Sequence, residues 1–271
     1  MTNFDGMKRQ VDILVLSDIH LGTFGCKARE LSRYLSSVDP EMIILNGDIF
    51  DIWNFKKSYF PDTHMRVVKQ IIRFSERIPV YYITGNHDEA LRKYARFSIG
   101  NLHLVNHLEL EINNEKYWFF HGDIFDASMH YAKWLAKLGG WGYDSLIATN
   151  HVVNKILDFL GQPRMSFSKR IKNSVKKAVK YIGDFEQTAA EIAIENNFDY
   201  VVCGHIHSPQ LRPIKFGQKE VKYMNSGDWI ENLTSLELRN GNWKLFTYNS
   251  EEFAEQEIID RWSTFLKRVP A

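Results

Sequence analysis

The sequence predicts an α/β fold built on a mostly parallel sheet, and three observations carry that prediction. Short apolar runs alternate with helical segments through the first 90 residues, in the order β-α-β-α-β. The runs are apolar at successive positions, as expected of strands covered by helices on one face and by another sheet on the other. Directly after each run stands an Asp, Asn or His. In open α/β folds ligands bind at such carboxyl ends.

The elements follow in order. DILVLS (12–17) reads as the first strand, CKARELSRYLSSV (26–38) as a helix and MIILN (42–46) as the second strand. THMRVVKQIIRFSER (63–77) is helical and PVYYIT (79–84) extended. From 101 to 121 the pattern changes to close-set strands, LHLV, LELEI and KYWFF, joined by polar turns such as INNEK. A long helical stretch from about 127 to 197 follows, and DYVVCG (199–204) returns to the sheet. KYMNSG and TSLELRNGNWKLFTY read as further strands with a turn at Asn240-Gly241, and the last twenty residues as a helix. The expected organisation is a single domain over 1–271 with a helical lid insertion at 127–197. The pentapeptide GDIFD, at 47–51 and again at 122–126, is the one internal repeat.

Composition narrows the function classes. A chain of 271 residues, 44% hydrophobic, can bury a substantial core. A net charge of +1 gives no global case for nucleic acid as a partner. Cys26 and Cys203 form no metal-binding pair, so a disulfide scaffold is not expected and a reducing compartment fits. The amino terminus has no signal-peptide apolar region, and no stretch approaches the roughly 18 apolar residues that span a bilayer. A cytoplasmic protein is expected, with any membrane contact peripheral on the cytoplasmic face.

The residues after the strands form a list of metal ligands. Ser17-Asp18-Ile19-His20 follows the first strand, Asn46-Gly47-Asp48 the second, and Gly85-Asn86-His87-Asp88 the third. KYWFF ends in His121-Gly122-Asp123, and DYVVC in Gly204-His205-Ile206-His207. Carboxylate, amide and imidazole donors suit Mn, Fe or Zn, and glycines beside them let the backbone turn sharply. Two ions together can lower the pKa of a shared water and neutralise phosphoryl oxygens. Taken singly each element is weak, and His64, His103, His107, His130 and His151 are read as ordinary core, turn or surface histidines. The five elements in order are specific.

The series DIH, GDIFD, GNHD, HGD and GHIH resembles the calcineurin-like metallophosphoesterase family over about 12–250. A late turn, Asn225-Ser226-Gly227-Asp228, resembles that family's final loop. The resemblance implies a four-layer α/β/β/α sandwich of two mixed sheets. It implies that Asp18, His20 and His207 bind one divalent ion and Asn86, His121 and His205 the other, with Asp48 bridging. Mn2+ is taken first, with Fe or Zn as the other fitting ions. A metal-bridging hydroxide would attack phosphorus, Asn86 and His87 would contact the phosphate, and His87 would be the candidate general acid. Asp88 is placed to orient the His87 ring, and Asp123 is read as a turn or supporting carboxylate, not a ligand.

The insertion bears on the substrate. It is aromatic and apolar in its first part and basic in its second, with no acid between Asp158 and Asp184. Lys169, Lys172, Lys176 and Lys180 would form a stripe beside the apolar face of a helix, and Lys172 and Lys176 are the candidate substrate contacts. A helical hairpin with a solvated basic face explains the same residues. The layout is similar to the UDP-2,3-diacylglucosamine pyrophosphohydrolase branch, which releases UMP and a lipid phosphate. His87 stands where that branch carries arginine. The expected substrate is therefore an anionic nucleotide-linked lipid. The alternatives are a soluble phosphoester (nucleotide, cyclic nucleotide or phosphoprotein) and a non-catalytic scaffold of the same fold.

Overall fold

A computed structural model describes residues 8–53, 59–128 and 167–253, with side chains described for all of these except 126–128 and 167–179. In its first sheet β1 (Arg9–Leu16) pairs in parallel with β2 (Val38–Asn46) and antiparallel with β11 (Thr234–Arg239). The crossover from β1 to β2 is α1 (Ala28–Ser37), and α2 (Asp62–Ser75) leads to β3 (Val80–Ile83). Beyond β3 lie β5 (Leu102–Val105), parallel to it, and the two-residue edge β4 (Ser98–Ile99). With β12 (Asn242–Thr247) on the other edge, the first sheet runs β12-β11-β1-β2-β3-β5-β4.

The second sheet takes β6 (Leu108–Ile112), β7 (Glu115–Phe119), β8 (Tyr200–Cys203), β10 (Lys219–Asn225) and β9 (Gln210–Phe216). Its order is β6-β7-β8-β10-β9, with β7, β8 and β10 parallel and antiparallel strands at both edges.

Side-chain alternation along β1 explains why its second half, Ile13–Leu16, is apolar at every position. Leu14 and Leu16 point into a cluster with Leu31 and Leu35 of α1 and Val67 and Ile71 of α2. Ile13 and Val15 point the other way and meet Phe119, Val202 and Met224 of the second sheet. One strand thus serves two cores, as a period of two demands when both faces are covered. The architecture is two mixed sheets face to face, with flanking helices.

Chain contacts divide the molecule into two units, Met1–Asp123 with Ala190–Ala271, and Ile124–Ala189. The second unit contains part of the 3₁₀ turn Asp123–Ser128 and α3 (Phe167–Glu195) up to Ala189. Within it Phe125 meets Phe185 edge-on, ring centroids 5.4 Å apart. The first part of the expected insertion, 129–166, and the expected terminal helix beyond 253 lie outside the described residues. No helix among the described residues is long and apolar enough to cross a membrane. Cys26 and Cys203 are both buried.

Three details differ from the sequence expectation. LHLV leaves the close-set group and joins the first sheet as β5, while LELEI and KYWFF go to the second. β2 begins at Val38, four residues early, because Val38 to Pro40 pair with Arg9 to Val11. β9 was not expected at all, since it carries Pro213; at a sheet edge proline removes no interior ladder bond.

Beneath β1 a buried carboxylate ties the first and last parts of the sheet together. Glu237, 2% exposed, accepts from Arg9 Nη2 and from the Tyr34 hydroxyl, both at 2.7 Å. Ser235 Oγ donates to the Tyr34 oxygen at 2.7 Å, and the Arg9 guanidinium lies over the Phe246 ring. Burial, and then the Glu237 charge, push the Tyr34 phenol well above its ordinary value, so it stays a donor. Arg9→Met leaves Glu237 buried without its closest cation and should cost about 3 kcal/mol. Arg9→Met with Glu237→Leu should recover most of that loss. Urea midpoints of the three proteins check this; a double variant no better than the single one refutes it.

Candidate metal centre

Each candidate ligand is delivered by the end of a parallel strand. Asp18 and His20 follow β1, Asp48 follows β2, Asn86 and His87 follow β3, His121 follows β7, and His205 and His207 follow β8. The chain leaves these strands abruptly. Asp18, His20, Asp48, His205 and His207 all adopt left-handed backbone, with φ of 50, 53, 54, 69 and 50°. That conformation is uncommon for residues other than glycine and costs of order 1–3 kcal/mol each. Backbone bonds across the loops hold it in place. Asp18 N–H donates to the Gly47 carbonyl (3.1 Å), His20 N–H to the Asp48 carbonyl (2.9 Å) and Gly204 N–H to the His121 carbonyl (2.9 Å).

The side chains converge in overlapping groups: Asp18, His20 and His207; His20, Asp48 and His87; Asp48, His121 and His205. Within each group one donor atom per residue lies within 4.8 Å of the others. His207 Nε2 is 3.2 Å from Asp18 Oδ1, and His121 Nε2 is 3.2 Å from Asp48 Oδ2. His20 Nε2 sits between the two carboxylates, 4.0 Å from each.

These residues fit divalent cations. Asp18 Oδ1, His20 Nε2, His121 Nε2 and Asn86 Oδ1 are buried and have no hydrogen-bond partner. Buried polar atoms are costly when unsatisfied, and these oxygen and nitrogen donors face one small volume. The ionisation of the side chains shows the same demand. Burial pushes the Asp18 carboxyl up, but His207, His121 and His20 outweigh it and hold the group well below the carboxylate range. Burial pushes the His207 imidazole down, yet Asp18 outweighs it and the group is pushed up to about 9. His121 is likewise raised, burial being overcome by Asp48 and Asp18. A depressed carboxyl beside raised imidazoles marks a volume that favours positive charge, which a divalent ion would supply.

Behind the donor atoms, the second nitrogens of His20, His87, His121 and His207 face oxygens. His121 Nδ1 donates to the Asn46 carbonyl at 2.9 Å, which turns Nε2 toward Asp48. His207 Nδ1 lies 3.8 Å from Asp228 Oδ2. Asp228 is itself fixed by the N–H groups of Ile230 and Glu231, and Asn232 Nδ2 donates to the His207 carbonyl. Asp51 reaches two rings, with Oδ1 2.9 Å from His87 Nδ1 and Oδ2 3.5 Å from His20 Nδ1.

The Asp51 geometry corrects the role expected of Asp88. Asp88 does not orient His87: its carboxylate accepts from the Tyr82 hydroxyl (2.5 Å), Gly85 N–H (2.6 Å) and Ile49 N–H (3.0 Å). It ties the β3 loop to the β2 loop, and Asp51, the last residue of the first GDIFD, faces His87 instead. Asp51 is three residues after Asp48, and the turn there folds it back toward His87 and His20.

Other candidates fall elsewhere. Asp123 pairs with Arg92. His64 accepts Gly22 N–H on Nδ1 at 3.0 Å, His103 bonds Ser98 and His107 lies near Glu109. His130 and His151 lie outside the described residues, as do the side chains of Lys172 and Lys176, whose backbone is in α3. Trp53, not anticipated from sequence, sets its half-exposed ring 4.8 Å from that of His87.

Glycines make the close packing possible. A Cβ on Gly47 would lie 2.2 Å from His121 Nδ1, and one on Gly85 2.2 Å from Asp48 Oδ1. Gly85→Ala should therefore displace Asp48 and weaken divalent-ion binding by at least about tenfold, with the far-UV circular dichroism unchanged. Calorimetric titration with Mn2+ checks it, and wild-type affinity would show that Asp48 is not a ligand.

Residues 11–209 match the family described as Calcineurin-like phosphoesterase. The UDP-2,3-diacylglucosamine hydrolase of Blochmanniella pennsylvanica (strain BPEN) is 26% identical over 247 residues, covering 86% of this chain and 94% of the relative. That of Aliivibrio fischeri (strain MJ11) is 24% identical, covering 89% of this chain and 99% of the relative. The DNA double-strand break repair protein Mre11 of Methanococcus maripaludis is also similar, at 24% identity over 79% of this chain and 56% of that protein. The family match runs from β1 through the loop after β8 and so takes in every strand end described above. The chain belongs to the calcineurin-like phosphoesterase family and is a metal-dependent phosphoester hydrolase.

Proposed function

We propose that the protein hydrolyses the pyrophosphate of an anionic nucleotide-linked lipid, UDP-2,3-diacylglucosamine or a close analogue, to UMP and a lipid phosphate. The observation that carries this reading is the extent of the similarity. Relatives named for that substrate align over 86% and 89% of this chain, beyond the metal motifs and through the segment between His121 and His205. On this reading the protein works at the cytoplasmic face of the inner membrane. The segment 127–197 is an insertion whose basic run, Lys172 and Lys176 included, binds the anionic groups of the substrate.

The proposed ligand set is Asp18, His20 and His207 for one ion and Asn86, His121 and His205 for the other, with Asp48 shared. Mn2+ is the first choice, and Fe or Zn would fit the same donors. Bound together, two such ions lower the pKa of a water and neutralise charge on the phosphoryl oxygens. The chain does the rest. Asp48 is fixed by His87 N–H on its Oδ1 at 2.8 Å, which leaves Oδ2 facing His121. Asp51 holds the His87 ring by Nδ1, so the proton His87 can give up is the one on Nε2. Burial lowers the His87 pKa, but the Asp51 bond and the Asp48 charge raise it overall, which keeps that proton available. His87 then protonates the leaving oxygen as the bond to phosphorus breaks.

Two measurements test this. His87→Gln should keep ion binding and lose roughly 100-fold in rate on an alkyl phosphodiester, with a much smaller loss on a p-nitrophenyl ester, whose leaving group needs no proton. Equal losses on both esters would remove His87 from the role of acid. The substrate is tested with Mn2+-loaded protein on UDP-2,3-diacylglucosamine, UDP-glucose and a nucleotide panel. Turnover of the diacylated sugar nucleotide far above the others is expected; turnover of nucleotides alone would move the assignment to a soluble phosphoester.

A further inference from the structure

The sheet edge leading away from His87 carries a second chemistry. After Asp88 the chain makes a 3₁₀ turn, Glu89–Tyr94, and runs into β4, the outermost strand of the first sheet. Three large apolar side chains stand in water along it: Tyr94 at 53%, Phe97 at 59% and Ile99 at 65% exposure. Lys93 and Arg96 are interleaved with them and are exposed too, the Lys93 ammonium lying 5.0 Å from the centre of the Tyr94 ring. From Ala90 to Leu108 the sequence contains no acidic residue.

The backbone displays these side chains. Arg96 is left-handed (φ 78°) and its N–H donates to the Leu104 carbonyl at 2.7 Å, while Leu104 N–H donates to the Phe97 carbonyl at 2.9 Å. The segment is thereby pinned to β5. Ser98 turns to one side and bonds His103 Nδ1 at 2.9 Å, so Phe97 and Ile99, on either side of it, project to the other.

Single exposed apolar residues are ordinary; three of them interleaved with cations and free of acids are not. A second copy of this chain would set Lys93 and Arg96 against their own like charges. A nucleic acid would stack on the rings and pair with the cations, but would find no use for Ile99. An anionic bilayer accommodates all five, with rings and aliphatic side chain at the headgroup boundary and cations on lipid phosphates.

We propose that Lys93–Ile99 is a membrane-contact rim that seats the protein on an anionic lipid surface. This deepens the reading of a lipid-linked substrate by naming the surface that meets the bilayer, while the contact itself is argued from this segment alone. The test is cosedimentation with phosphatidylcholine vesicles with and without phosphatidylglycerol. Wild type should partition onto the anionic vesicles, less so at raised salt, and not onto phosphatidylcholine alone. Lys93→Glu with Arg96→Glu, and separately Phe97→Ser with Ile99→Ser, should each lower partitioning by at least about tenfold, with Mn2+ binding and hydrolysis of bis-p-nitrophenyl phosphate unchanged. Failure of wild type to bind overturns the proposal, as does equal binding by wild type and both variants. Preference of the same segment for RNA over vesicles would also overturn it. Cleavage of UDP-2,3-diacylglucosamine in detergent is scored separately, so loss of the substrate reading and loss of the rim are distinguishable.

Discussion

Two carboxylates brought out of water beside one another are the constraint around which this molecule is arranged. Asp18 and Asp48 are almost wholly buried and share His20 between them. Like charges held together in a low-dielectric interior are tolerated only with counter-charge between them. The imidazoles of His207 and His121 stand where that counter-charge is needed, and the unsatisfied oxygen and nitrogen atoms mark where cations complete the balance. The turned backbone of the ligand loops, the missing side chain at Gly47 and the carbonyl behind His121 all serve this one arrangement.

The strain concentrated at the strand ends is borne by the two-sided sheet. β1 and β2 send alternate residues into separate cores, so the strand ends are fixed from both faces. Asp88 adds a polar tie: it collects a hydroxyl and two N–H groups from neighbouring segments and so locks the loop that presents Asn86 and His87. A carboxylate in this position works as scaffold, although in sequence it adjoins His87.

Much of this was legible in the letters, for identifiable physical reasons. Strands covered on both faces write themselves as continuous apolar runs, so β1, β2, β3 and β8 were read nearly in register. Ligand types placed directly after such runs are visible whatever the backbone does there. Two edge strands were not legible: β9 is mostly exposed and holds Pro213, and β4 has two residues. Side-chain direction was illegible too. Asp88 adjoins His87 in sequence and Asp51 lies in a different loop, yet the fold of the GDIFD turn brings Asp51, not Asp88, to its ring. The left-handed residues gave no sign at all, because Asp and His at φ near 50° are spelled as anywhere else.

The contact between Arg9 and Glu237 spans 228 positions of the chain. The first candidate ligands, Asp18 and His20, precede in the chain both β11, the partner that completes β1, and β8, whose end carries His205 and His207. Such long-range pairing is slow to close. No single stretch of the chain therefore holds the full set of donors, and the centre is complete only when both ends of the sheet are in place.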